Sequence, residues 1–113
     1  MSVGTFLEAT AKSKKVITYQ DVINTDPKLP ALDGAWKSHP LSKIFETLDQ
    51  EDTLKKRPFR TSVVVKKDKK NQMPGGGFFE ALERLKGVSS ATASDKQRVW
   101  VAELNAAHAF PWP

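Results

Sequence analysis

Leu41, Ile44, Phe45 and Leu48 recur at i, i+3, i+4 and i+7, the strongest amphipathic pattern in the chain. Such spacing demands an α-helix with one side pressed against other elements, so the fold must be built mainly by helix packing. Ser38 and Pro40 open this helix, and Asp49-Gln50-Glu51-Asp52 reads as its solvated end. Four more helices follow the same logic. The first runs from near residue 3 to 14, with Phe6, Leu7, Ala9 and Ala11 inside and Lys12, Lys14 and Lys15 at its negative end. In the second, Thr18 and Asp21 form a capping box, and Ile17 and Val22 sit at the spacing of a hydrophobic staple. The fourth carries Phe78, Phe79, Leu82 and Leu85 and stops before Gly87. Ser94 and Gln97 predict a cap for a last helix of about 95–109, with Trp100, Val101, Leu104 and His108 inward.

One segment breaks the helical rule. Residues 61–65 form a continuous β-favouring run, read as a strand leaving the core, with 66–71 as its tip and Pro74-Gly75-Gly76-Gly77 as the return. The net charge gathers in the same place. Window 55–70 holds eight bases against one acid, whereas 1–54 is slightly acidic and 71–113 is neutral, for a total of +5. A cationic ribbon carried by a neutral scaffold suits a polyanion or an acidic protein surface better than a small molecule. At 113 residues the chain supports a single domain, residues 1–113. A mean hydropathy of −0.47, no apolar run near the roughly 20 residues of a membrane span, and no signal-like start fit a soluble cytoplasmic protein. Cysteine is absent, which excludes disulfides and thiolate chemistry.

Helix, short helix, loop, amphipathic helix, then a strand with a basic tip is the order of a winged helix-turn-helix. The fold expected is therefore mainly α with a small β-wing (α+β), the wing spanning about 60–73. Several short segments carry a family likeness. Ile17-Thr18-Tyr19 looks like a Thr-Tyr helix opening, Val63-Val64 like the end of a Pro-Cys-His-Arg-Val-Val strand, and Gly76-Gly77-Phe78 with Leu82-Glu83-Arg84 like a Gly-Gly-Tyr…Leu-Glu-Arg segment. Over roughly residues 3–86 the chain resembles the DNA-binding domain of alkylguanine DNA alkyltransferases and alkyltransferase-like proteins. The resemblance implies a winged helix, with Tyr19 working near a phosphate and 41–48 in the recognition-helix slot. It places Arg60 at the reactive cysteine and Thr61 and Ser62 at the following histidine and arginine, so alkyl transfer is not implied. The recognition-helix arginine is also missing, with Lys43 nearby.

The expected function is non-enzymatic binding of double-stranded DNA. Lys66, Lys67, Lys69 and Lys70 would hold phosphates, Arg57 and Arg60 would stand at the wing base, and Tyr19, Ser42 and Lys43 would flank the groove. Edge protection is the structural reading of the same lysines. Ser42, Lys43, Glu46, Thr47, Asp49 and Gln50 are the expected outward positions of the third helix, and its carboxylates would be repelled by phosphates. That opposing feature keeps an alternative open: a small adaptor or inhibitor, of the kind mobile elements carry, binding a protein through the acidic helix and the aromatic Phe110-Pro111-Trp112-Pro113 tail. The tail is expected either to fold back over a groove or to present its rings to that partner. No catalytic residue, metal site or cofactor is predicted. His39 and His108 are far apart and read as helix-start and boundary residues, the glycine run reads as a tight turn, and the serines lack a nucleophile elbow.

Overall fold

The Ser2 side chain accepts the Thr5 N–H and so opens α1 (Val3–Lys12), the first helix of a computed structural model that describes residues 2–32, 35–67 and 72–112. β1 (Ile17–Thr18) leads directly into α2 (Tyr19–Asn24). There the expected capping box is complete: Thr18 Oγ1 accepts the Asp21 N–H at 3.2 Å, and Asp21 Oδ2 accepts the Thr18 N–H at 3.1 Å. A loop and a 3₁₀ turn (Trp36–Ser38) precede α3 (Pro40–Leu54). His39 is its N-cap. The ring Nδ1 accepts the Leu41 N–H, so Nε2 is the nitrogen that donates to the Pro30 carbonyl at 2.8 Å.

A second 3₁₀ turn (Arg60–Val63) passes into β2 (Val64–Val65), which pairs in parallel with β1 in the register Ile17↔Val64 and Thr18↔Val65. The predicted strand over 61–65 is thus mostly a 3₁₀ turn. Residues 61–65 are buried, and only the last two find an open edge to pair with. α4 (Gly76–Lys86) ends on Gly87, whose φ of +69° favours glycine. Gly75 at its start has φ −72°, so the turn there needs no left-handed residue; what it needs is room, because Tyr19 Oη would lie 3.3 Å from an added Cβ.

α5 (Ala93–Ala109) begins before the predicted cap. Thr92 and Asp95 form the box, and Ser94 and Gln97 fall inside the helix. An aspartate at the third helical position serves both as reciprocal acceptor and as the anion that suits the positive helix end.

The apolar interior has two parts, divided by β2. Val63 and Val64 pack with Leu7, Val22, Leu41, Phe45 and Trp112, while Val65, on the other face of the strand, packs with Phe59, Phe78, Phe79, Leu82 and Trp100. The tail folds back: Trp112 is buried, its Nε1 donates to the Ala107 carbonyl at 2.8 Å, and Arg57 stands over its ring. No helix among the described residues is long and apolar enough to cross a membrane. The chain is mainly helical with a small two-stranded sheet.

Candidate nucleic-acid interface

Where α3 was expected to dissolve in solvated acids, it continues to Leu54 with two of those acids inside. Asp49 is 3% exposed and Asp52 is fully buried. Their positions extend the apolar stripe, since Leu41, Phe45, Leu48 and Asp52 recur at steps of four, three and four, and Asp49 lies four after Phe45. A carboxylate taken out of water needs a partner, and the arginines of the basic window supply it.

Arg60 Nε donates to Asp52, Nη1 to Glu8 at 3.2 Å and Nη2 to Glu51 at 3.1 Å, while the Arg60 backbone N–H also reaches Asp52 at 2.9 Å. Arg57 Nε donates to Asp52 Oδ1, the oxygen that Arg60 Nε also engages. Burial works against the Arg60 charge, but the Asp52, Glu51 and Glu8 carboxylates outweigh it and raise the guanidinium above its ordinary pKa. The expectation that Arg57 and Arg60 face a nucleic acid at the wing base is therefore corrected. Both are paired with Asp52 of α3, Arg60 from the second 3₁₀ turn and Arg57 from the segment before it, and the Arg60 side chain is only 5% exposed. The expected wing of 60–73 shrinks with them, because 60–65 are interior.

Asp49 takes a different route. Its Oδ1 accepts the Thr61 hydroxyl at 2.7 Å. Burial pushes its carboxyl up to about 7; the Thr61 bond and the Arg84 charge oppose this, and the Asp52 and Glu103 charges reinforce it.

Of the other proposed contacts, Tyr19 is half-buried. Its hydroxyl oxygen accepts the Gly75 N–H at 2.8 Å, and its ring meets Trp36 edge-on and tilts against Phe45 of α3. Burial raises the phenol pKa, partly offset by the Gly75 bond. Tyr19 thus joins α2, α3 and the start of α4. Lys66 and Lys67 are exposed, and the Lys66 N–H donates to the Met73 carbonyl at 2.9 Å, closing the root of the basic loop. Lys69 and Lys70 lie outside the described residues. On α3, Lys43, Glu46, Thr47 and Gln50 are exposed and Ser42 half-buried.

The acidic network was missed because the carboxylate run was read by composition rather than by helical phase. Continuing the stripe from Leu41 to Asp52 would have found it. His39 and His108 bond to the Pro30 and Lys15 carbonyls respectively. Ser62 Oγ is buried without a hydrogen-bond partner among the described residues, beneath α5, whose Trp100 Nε1 donates to the Ser62 carbonyl at 2.9 Å. Among the described residues, no group of three or more histidine or acidic side chains is arranged to hold a metal. No protein-family model, curated protein or solved structure matches the chain.

Proposed function

We propose that this protein is a non-enzymatic binder of double-stranded DNA on a winged-helix-like scaffold. Lys66 and Lys67 at the loop root, with Lys69 and Lys70 beyond them, hold phosphates, and the Ser42–Lys43 side of α3 lies against the groove. The observation that carries this reading is the withdrawal of acid from α3. Asp49 and Asp52 are buried and Glu51 pairs with Arg60, which leaves Glu46 beside Lys43 on the exposed face. The electrostatic objection to bringing this helix near phosphates is thereby largely lifted. The order of three helices, strand, basic loop and helix also supports the scaffold reading. Without a cysteine, and with the buried Arg60 at the position the resemblance gives to one, a thiolate alkyl acceptor is no part of the proposal. An adaptor using the α3 acids Asp49 and Asp52 and the aromatic tail is less well supported, because those two carboxylates and Trp112 are turned inward.

The test is fluorescence anisotropy on a random-sequence 20-base-pair duplex between 50 and 200 mM salt. Binding is expected at the low end and should weaken steeply with salt. Changing Lys66, Lys67, Lys69 and Lys70 to alanine should flatten the log–log salt slope by about 3–4. Absence of binding at 50 mM, or an unchanged slope in the quadruple variant, refutes the proposal.

A further inference from the structure

A cleft of about 470 Å³ opens between the first turns of α1 and one face of α3, and neither Lys66 nor Lys67 lines it. Its floor is apolar: Val3 and Gly4 from α1, and Ile44 and Leu48 from α3. Its charged lining is chiefly acidic: Glu8 and Glu51 are paired with the Arg60 guanidinium, and Asp26 lines the cleft with them. That guanidinium is already shared with Asp52, so the site is net negative within a chain of net charge +5. A polyphosphate is the wrong occupant for such a place.

The hydrogen-bonding capacity left over is specific. Arg60 bonds Glu8 through one N–H of Nη1 and Glu51 through one N–H of Nη2, which leaves a second donor on each nitrogen. Glu8 and Glu51 each use one carboxylate oxygen on Arg60, and among the described residues the other carries no hydrogen bond. The Glu51 side chain is 45% exposed, so its spare oxygen is within reach of a ligand. Gly4 makes the arrangement sterically feasible, since a Cβ there would stand 2.9 Å from Arg60 Nη1.

An occupant that satisfies this lining carries an aliphatic group for the floor, a cation for the free carboxylate oxygens, and carbonyl acceptors for the spare Arg60 donors. A peptide chain offers all three at once, and the cleft volume falls in the range of ligand pockets, about 300–1,000 Å³. We propose that the α1–α3 cleft receives an extended segment of a partner protein in which a lysine or arginine lies close to a leucine, isoleucine or valine. The cationic side chain meets Glu8, Glu51 and Asp26 through charge-assisted hydrogen bonds, and the aliphatic one rests on Ile44 and Leu48.

Panning a random dodecapeptide display library against the full chain tests this directly. Selected peptides should share an aliphatic–basic pair, and their synthetic forms should lose at least tenfold in affinity when the basic residue becomes glutamate. Two substitutions on the protein should cost as much: Glu51→Lys, which reverses the rim charge, and Thr5→Arg, which obstructs the lip from an exposed position. Circular dichroism on both verifies folding, and Thr5→Arg keeps the test decisive if Glu51→Lys unsettles Arg60. No enrichment, selected peptides lacking a basic residue, or affinities indifferent to both substitutions overturns the proposal. None of these measurements involves nucleic acid, so the cleft stands or falls separately from DNA binding.

Discussion

Replacing Asp49 with asparagine isolates one proton from the rest of the molecule. The carboxyl is 3% exposed, bonded to Thr61, and faces the charges of Asp52, Arg84 and Glu103. Its pKa moves from 3.8 to about 7 on folding, so the folded chain binds the proton more tightly than the unfolded one. The resulting stabilisation is complete below about pH 3.8 and is lost as pH rises through about 7. At about 1.4 kcal/mol for each tenfold change in proton affinity, the whole effect is on the order of 4 kcal/mol, and about 3 kcal/mol of it falls between pH 5 and pH 8. Asparagine keeps an uncharged acceptor for the Thr61 hydroxyl and cannot ionise. Urea unfolding of both proteins at pH 5 and pH 8 should therefore show the wild type losing about 3 kcal/mol relative to the variant. With a denaturant slope of about 1–3 kcal/mol per molar, that is a relative midpoint shift of roughly 1–3 M. If the two proteins respond to pH in parallel, or the variant is the more sensitive, Asp49 is ionised in the fold and the reasoning fails.

Three further substitutions probe the packing around the interface. Arg60→Met should cost about 3–5 kcal/mol in urea unfolding, because it strips Asp52, Glu8 and Glu51 of their shared cation. Gly4→Ala should cost about 1–3 kcal/mol, since its Cβ would press on Arg60 Nη1 at 2.9 Å and Leu48 Cδ2 at 3.2 Å; the penalty should shrink in the Arg60→Met background. Trp112→Ala should lower stability by about 3–5 kcal/mol, read as a drop in thermal midpoint, because the ring is buried and its indole N–H is bonded to Ala107.

Much of the framework is legible from local chemistry. The Thr18–Asp21 box, the proline after His39 and the glycine ending α4 each fix a helix boundary through bonds between near neighbours, and all three stand as read. The site was less legible because its decisive bonds span long separations. Arg60 meets Glu8 across 52 residues, and Phe59 meets Glu103 across 44. Charge density alone could not distinguish arginines that face outward from arginines spent on buried acids. The lysines beside them differ in one respect visible beforehand: Lys66 and Lys67 follow the apolar run, whereas Arg60 adjoins Phe59 and enters the interior with it, and Arg57, two residues before Phe59, is half-buried. The strand 61–65 was misread because burial on all sides produces the same apolar string whether the backbone is extended or coiled into a 3₁₀ turn.

The wall that β2 builds between the two apolar clusters also equips the molecule with its own optical gauges. Trp112 belongs to one compartment and Trp100 to the other, while Trp36 sits half-covered on the aromatic patch with Tyr19 and Phe45. Variants that keep only Trp112 or only Trp100 would report on one compartment each, and because the partition between them is only two residues long, the two transitions are expected to coincide.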